Sequence, residues 1–258
     1  MLQKLAAILI PPSCLLGALF LRGDAQKAFL AAWILSSVLV MIGLLRPRSR
    51  VFGRSLVESA PQPRVALTFD DGPHPVDTPA ILAILAKEDA KATFFFVGER
   101  ARRYPDIVRR VAQSGHQIEA HSDTHPWWFS LASASRTRRE VRDSVGTLNE
   151  LSGRRPHFFR PPMGHKSLSL AEVLRVEGLQ MVTWSMRPFD TMRRTTNGIR
   201  ESVLSKVRPG GILLLHEGTS RAPGEDSRTV QALPSMLKGL RERGLEPVTL
   251  QDLLERGK

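Results

Sequence analysis

Five short segments of this sequence carry residues able to do chemistry, and they follow one another in order along the chain. The first is Thr68-Phe69-Asp70-Asp71-Gly72-Pro73. Neighbouring side chains on an extended strand point opposite ways, so adjacent carboxylates can divide labour: one binds a metal ion while the other takes a proton from water. The same letters also read as an ordinary Asp-Gly-Pro turn. The second segment is His121-Ser122-Asp123-Thr124-His125. Two histidines four apart face one side of a helical turn and suit a zinc-type ion, and an aspartate would make a third ligand. Taken alone, such a pair is more often structural or solvated.

The third segment is Arg160-Pro161-Pro162-Met163-Gly164. Its arginine can hold a carboxylate in a bidentate pair, and a backbone N–H after the stiff prolines can steady an oxyanion. A rigid surface loop would use the same residues. The fourth joins Trp184 to Asp190, readable as a core residue and a helix cap. The fifth is Leu213-Leu214-Leu215-His216. A histidine ending an apolar run is often a satisfied core residue, yet it also stands where a general acid would.

The elements between these segments explain their placement. Apolar runs of strand type occur at 65–69, 93–97, 117–119, 157–160, 180–184, 211–215 and 247–250. Stretches of helix length lie between them at 78–89, 99–114, 133–151, 168–177, 196–207 and 228–243, and Gly115, Gly153, Gly178 and Gly244 follow four of these as candidate caps. Strands alternating with helices predict a parallel sheet covered by helices, and in such folds working residues gather where strands end. All five chemical segments sit at such ends.

In order and spelling the five segments resemble the polysaccharide deacetylases with the NodB-homology domain, carbohydrate esterase family 4, from about Arg64 to Leu250. The resemblance implies a distorted (β/α)7 barrel that removes N-acetyl groups from amino sugars with a divalent ion, most often zinc. It implies that Asp70 is the general base, oriented by Arg160, and that Asp71, His121 and His125 hold the metal. It further implies that His216 is the general acid, supported by Asp190, and that Pro162, Met163, Trp184 and Leu214 line the substrate. Two departures bear on the pocket. Met163 stands where the family usually has an aromatic residue, and Thr191 where it usually has tryptophan. Trp127-Trp128-Phe129 is a candidate replacement platform, or it packs on the barrel rim or a membrane interface.

The first 45 residues differ from the rest. No residue is charged from 5 to 21 or from 28 to 45. Runs of this length lie at the short end of what spans a bilayer, which predicts two transmembrane helices joined through Arg22-Gly23-Asp24 and Lys27. A cleaved signal peptide would not account for the second run, and a buried hairpin would show a polar face. The expected division is therefore a membrane anchor at 1–45, a basic linker at 46–63 and a catalytic domain at 64–258. Arg46, Arg48, Arg50, Arg54 and Arg64 flank the second run, favouring an integral protein of the bacterial inner membrane whose large domain faces the cytoplasm.

Composition closes other routes. The 258 residues include 37 Lys plus Arg against 25 Asp plus Glu, a formal charge of +12, and Cys14 alone cannot form an internal disulfide. The basic excess suits an anionic partner, but no nucleic-acid reader motif accompanies it. Two rival functions remain: a deacetylase or deformylase of a lipid-linked sugar at the membrane, and a catalytically silent glycan-binding protein.

Overall fold

The computed structural model describes residues 22–46, 48–192, 195–218 and 227–255. All seven expected strand positions are occupied, and they form one parallel sheet. Strand β1 (Arg64–Gly72) lies between β2 (Thr93–Phe96) and β6 (Ile212–His216). Beyond β2 come β3 (Gln117–Ala120), β4 (Phe158–Phe159) and β5 (Gln180–Met181). Strand β7 (Glu246–Val248) pairs with the first residues of β1. The sheet curls: the chain leaving β5 meets β6 through a bridge between Met186 and Leu213, and the Leu214 N–H donates to the Met186 carbonyl at 3.0 Å.

The strands are rich in buried apolar residues because both faces are covered. Their period of two sorts the residues. Val65, Leu67 and Phe69 belong to the large core under the helices, while Ala66 belongs to a smaller inner core with Phe95 and Ile212. The next positions of that inner parity along β1 are Thr68 and Asp70. The inner face thus turns polar toward the carboxyl ends of the strands. Phe69 and Phe94 stack with centroids 5.3 Å apart, and each such buried ring stabilises the fold by about 1.5–3 kcal/mol.

The helices are α1 (Asp24–Leu45), α2 (Asp77–Lys87), α3 (Gly98–Arg103), α4 (Pro105–Gln113), α5 (Ala134–Ser152), α6 (Leu170–Val176), α7 (Thr196–Lys206), α8 (Arg228–Glu242) and α9 (Leu250–Leu254). Two expectations are corrected. The single helix read at 99–114 is two, because Pro105 keeps Tyr104 out of helical conformation, at φ −129° and ψ 58°. The strand read through 250 stops at Val248, because the Thr249 hydroxyl accepts the Asp252 N–H at 3.0 Å and starts α9. Helix α5 carries both end signals, with the Ser133 hydroxyl accepting the Arg136 N–H and Gly153 left-handed at φ 71°.

Helix α1 starts at Asp24, not at 28, so Asp24 and Lys27 form its first turn and pair at 3.1 Å instead of lying in a link. Its stretch Asp24–Gly43 has mean hydropathy 1.7, is unburied except at Gly43, and is long and apolar enough to cross a membrane. The Ser36 and Ser37 hydroxyls both donate to the Trp33 carbonyl, which removes their polar cost. The expected first span, 5–21, lies outside the described residues.

Residues 48–60 have no helix or strand, yet they are fastened to the domain. Phe52 is buried against Gly43, where a Cβ would come within 2.6 Å of its ring. The Lys166 ammonium, fully buried, donates to the carbonyls of Ser49 and Gly53, and burial pushes its pKa down to about 8. Leu56 bridges Val182 beside β5. The expected linker is a strap.

Candidate active site

Asp70 and His216 are register partners on adjacent strands, at the carboxyl ends of β1 and β6. Asp70 is buried, and its Oδ1 accepts Arg160 Nη1 at 2.5 Å. Arg160 is wholly buried. Its Nη1 also donates to the Thr68 hydroxyl at 2.9 Å and its Nη2 to the Thr183 carbonyl at 3.1 Å, with the guanidinium 4.0 Å from the Phe95 ring centroid. So many contacts fix the orientation of the Asp70 carboxylate. Burial raises the Asp70 pKa, and the charge of Arg160 offsets only part of that rise. A carboxylate held this way accepts a proton more readily than one in water.

Asp71 breaks the alternation of β1. Its φ is 70°, and the register shifts between Asp70 and Gly72. The expectation that the two carboxylates diverge is therefore corrected. Asp70 Oδ2 and Asp71 Oδ1 lie 3.7 and 3.6 Å from the same nitrogen, His121 Nε2. His125 Nε2 lies 3.2 Å from Asp71 Oδ1.

The two histidines do not share a helical turn, as their spacing suggested. Ser122 and His125 have φ of 64° and 50°, and the segment is a loop held by side chains. The Ser122 hydroxyl accepts the His125 N–H at 3.0 Å. Glu140 on α5 accepts the N–H groups of Asp123 and Thr124 at 3.0 and 2.8 Å, and Arg102 clamps Asp123 through two bonds. This wrap brings the histidine rings to 4.9 Å.

Asp71, His121 and His125 offer one ligand atom each, all within 4.8 Å of one another. Three observations fit a divalent ion. Asp71 Oδ1 is buried without a hydrogen-bond donor. His121 Nδ1 lies 2.7 Å from the Arg160 carbonyl, which can only accept, so Nδ1 carries the proton and Nε2 keeps its lone pair. Burial, helped by the charge of His125, pushes the His121 pKa down to about 3 and keeps the ring neutral. One carboxylate oxygen and two imidazole nitrogens form a donor set suited to zinc.

His216 is held from behind. Its Nδ1 is 2.8 Å from Asp190 Oδ1, its own N–H donates to Asp190 Oδ2 at 2.8 Å, and the Thr229 hydroxyl donates to the same oxygen at 3.0 Å. Burial alone would lower the His216 pKa, but the Asp190 hydrogen bond and the negative charges of Asp190, Asp70 and Asp71 together raise it. For Asp190, burial works upward, but the bonds from His216 and Thr229 win and hold it below the usual carboxylate value.

These groups open into a cleft of about 150 Å³ that also receives Met163, Trp184, Arg187 and Leu214. Larger cavities exist elsewhere, one of about 730 Å³ near β5, but none combines such groups among the described residues. Pro162 is buried and does not line the cleft, and Met163 is left-handed at φ 54°. Because Pro161 and Pro162 lack N–H groups, Met163 supplies the first backbone donor after Arg160. Gly164 lies under the Trp184 ring so closely that a Cβ would collide with it. Trp127 is 76% exposed and outside the cleft lining, whereas Phe129 is buried in the core.

The sequence did not single out Glu140, Thr229, Glu217 or Arg187. Glu217 is buried directly after His216, accepts the Thr78 hydroxyl and the His74 N–H, and is pushed up to about 8 by burial. Its position next to a motif histidine was the available signal; Glu140 and Thr229 offered none.

The polysaccharide deacetylase family model matches residues 58–182, a span holding Asp70, the three candidate ligands and Arg160. The chain is 35% identical over 196 residues to a peptidoglycan-N-acetylglucosamine deacetylase of Bacillus cereus, covering 75% of this chain and 69% of that one. It is 37% identical over 197 residues to a chitooligosaccharide deacetylase of Sinorhizobium fredii, covering 70% and 87%. The solved Bc1960 peptidoglycan N-acetylglucosamine deacetylase, in complex with 4-naphthalen-1-yl-N-oxidanyl-benzamide, superposes with a TM-score of 0.72 at 32% identity, covering 79% of this chain and 94% of its own.

Proposed function

The chain belongs to the polysaccharide deacetylase family, and from that premise we propose that it hydrolyses N-acetyl groups on amino-sugar residues of a glycan of the chitooligosaccharide or peptidoglycan type. The observation that carries the reading is the pairing of a buried carboxylate and a buried imidazole, Asp70 and His216, on neighbouring strands beside Asp71, His121 and His125. The relatives named above act on such glycans.

In this reading Asp71, His121 and His125 hold a divalent ion, most simply zinc. Bound there, the ion supplies Lewis acidity toward the amide oxygen and lowers the pKa of water. Asp70, fixed by Arg160, takes a proton from the attacking water. The Met163 N–H donates to the oxygen that becomes negative in the transition state. His216, charged because Asp190 stands behind it, gives its proton to the departing nitrogen. One water is consumed, and acetate and a free amine are formed. Trp184, Leu214, Pro162 and Met163 shape the space for the acetyl group and sugar.

The same reading extends to architecture. The curled sheet fits a distorted (β/α)7 barrel. The proposed division is an anchor at 1–45 with two transmembrane helices, of which the exposed apolar helix α1 supports the second, a basic segment at 46–63 and a catalytic domain at 64–258. The basic flank after α1 supports an inner-membrane protein whose domain faces the cytoplasm.

The test is acetate release from N-acetylglucosamine oligomers by the full chain with added zinc. Release that stops with chelator and returns with zinc is the expected result. Release that ignores the chelator would overturn the metal assignment, and a folded, zinc-loaded protein releasing no acetate from any N-acetylated glycan would overturn the activity.

A further inference from the structure

A second cavity, of about 490 Å³, adjoins the catalytic cleft. Trp184 and Arg187 line both, so the two spaces share a wall. The second cavity is basic: Arg46, Arg48, Arg187 and Lys206 line it, and no carboxylate does among the described residues. Arg48 is engaged by Glu58 at 2.8 Å. Arg46, Arg187 and Lys206 have no ion-pair partner among the described residues.

Arg187 is held without being neutralised. Its guanidinium carbon lies 5.0 Å from the Phe189 ring centroid and 5.7 Å from that of Trp184, and its Nε is buried with no hydrogen-bond partner. Stacking on rings leaves the in-plane N–H groups of a guanidinium free for a planar or tetrahedral oxyanion. Uncompensated cations gathered around one space on a protein surface repel one another, and an anion relieves that repulsion.

The position of the cavity adds a second argument. Arg46 caps α1, its N–H donating to the Ile42 carbonyl at 3.1 Å. Helix α1 exposes Ile34, Leu35, Val38, Leu39 and Met41. If a bilayer covers that apolar surface, the cavity opens at the level of the lipid phosphates.

We infer that this cavity receives a phosphate group carried by the molecule whose acetamide occupies the cleft, so that the substrate is a phosphorylated N-acetylamino sugar. The inference rests on the deacetylase reading and narrows its substrate. In a 2-acetamido sugar 1-phosphate the two groups sit on adjacent ring carbons, which fits two cavities that share a wall. The anion lies beside Arg187, on the side of the wall away from Asp70 and Asp71.

The test compares acetate release by the zinc-loaded full chain from N-acetylglucosamine 1-phosphate and from the neutral methyl glycoside of the same sugar. The phosphate should raise kcat/KM by about tenfold or more, and that ratio should fall toward one in Arg187→Gln and in the double variant Arg46→Gln, Lys206→Gln. A ratio near one in the unaltered protein, or one preserved in both variants, would overturn the inference. A lipid-linked sugar diphosphate in detergent micelles distinguishes the source. A further gain assigns the phosphate to a lipid carrier, and equal rates assign it to a soluble sugar phosphate; either upholds the phosphate site. If neither compound is hydrolysed, the oligomer assay decides the deacetylase reading, and calorimetry with inorganic pyrophosphate decides the site. Binding weakened about tenfold by the double variant upholds it; absent or unchanged binding overturns it.

Discussion

Asp70 and Asp190 are buried equally, each 2% exposed, and each is bonded to a cationic partner on one side of the same cleft. Their proton affinities nevertheless move in opposite directions. Asp70 has one strong donor on Oδ1, and its Oδ2 has only His121 at 3.7 Å, so burial prevails and the pKa rises. Asp190 has donors on both oxygens, so the bonds prevail and the pKa falls. Glu119, the penultimate residue of β3, completes the comparison. It has no cation, only Gln117 and the N–H groups of His157 and Phe158, and burial pushes it up to about 8. What separates a carboxylate that stays charged from one that can exchange a proton is a cationic partner combined with donors on both oxygens: Asp190 has both, Asp70 has a cation on one oxygen only, and Glu119 has both oxygens bonded but no cation. In the proposed mechanism Asp70 changes state during a turnover, and Asp190 keeps His216 charged.

The sharpest way to break the comparison is Asp70→Asn, which removes the exchangeable proton site and keeps the shape. Turnover should fall by about 10²–10⁴-fold with zinc still bound, measured by acetate release and metal content. Wild-type activity in that variant would remove Asp70 from the role of base. Arg160→Gln attacks the same half through stability. It leaves Asp70 buried without its cation and should cost about 3–5 kcal/mol in urea unfolding. An unchanged midpoint would mean that the pair holds nothing together.

On the other side, Thr229→Val removes one donor to Asp190 and should cost about 1 kcal/mol, seen as a modest loss of both stability and rate. An effect as large as that of Arg160→Gln would mean that Asp190 is no better satisfied than Asp70. The last prediction concerns Glu119. Its folded-state pKa lies above the ordinary glutamate value of 4.5. The folded protein therefore binds a proton that the unfolded chain releases, and stability should decline as pH rises from about 4.5 to about 8. Glu119→Gln should flatten that decline in denaturant midpoints measured across the range; an identical slope would show that Glu119 does not titrate there.

Much of this contrast was legible in the residues. The seven apolar runs marked the strands because full burial on both faces leaves no polar alternation to hide them. The five chemical segments marked the strand ends, and Asp70, Asp71, His121, His125, Arg160, Asp190 and His216 gather there. The bulge at Asp71 and the non-helical loop carrying the histidines were not legible. Both depend on distant partners: the pairing of β1 with β2, and Glu140 on a helix that follows the loop. Lys166, which pins the strap at Ser49 and Gly53, acts across more than a hundred residues and left no local pattern. Arg187 sat in plain view between Trp184 and Asp190, but only the fold reveals that it faces two cavities.

The central claim is that Asp190 keeps His216 protonated while Asp70 accepts the proton. The most direct measurement is the pH dependence of kcat/KM on an N-acetylglucosamine oligomer, for the zinc-loaded wild type and Asp190→Asn side by side. The wild type should lose activity on the alkaline side as His216 gives up its proton, at a pH that the Asp190 hydrogen bond pushes upward. With Asp190 neutral, burial is less opposed, and that alkaline limb should move to lower pH while the acid limb stays. An alkaline limb that does not move in Asp190→Asn would contradict the account.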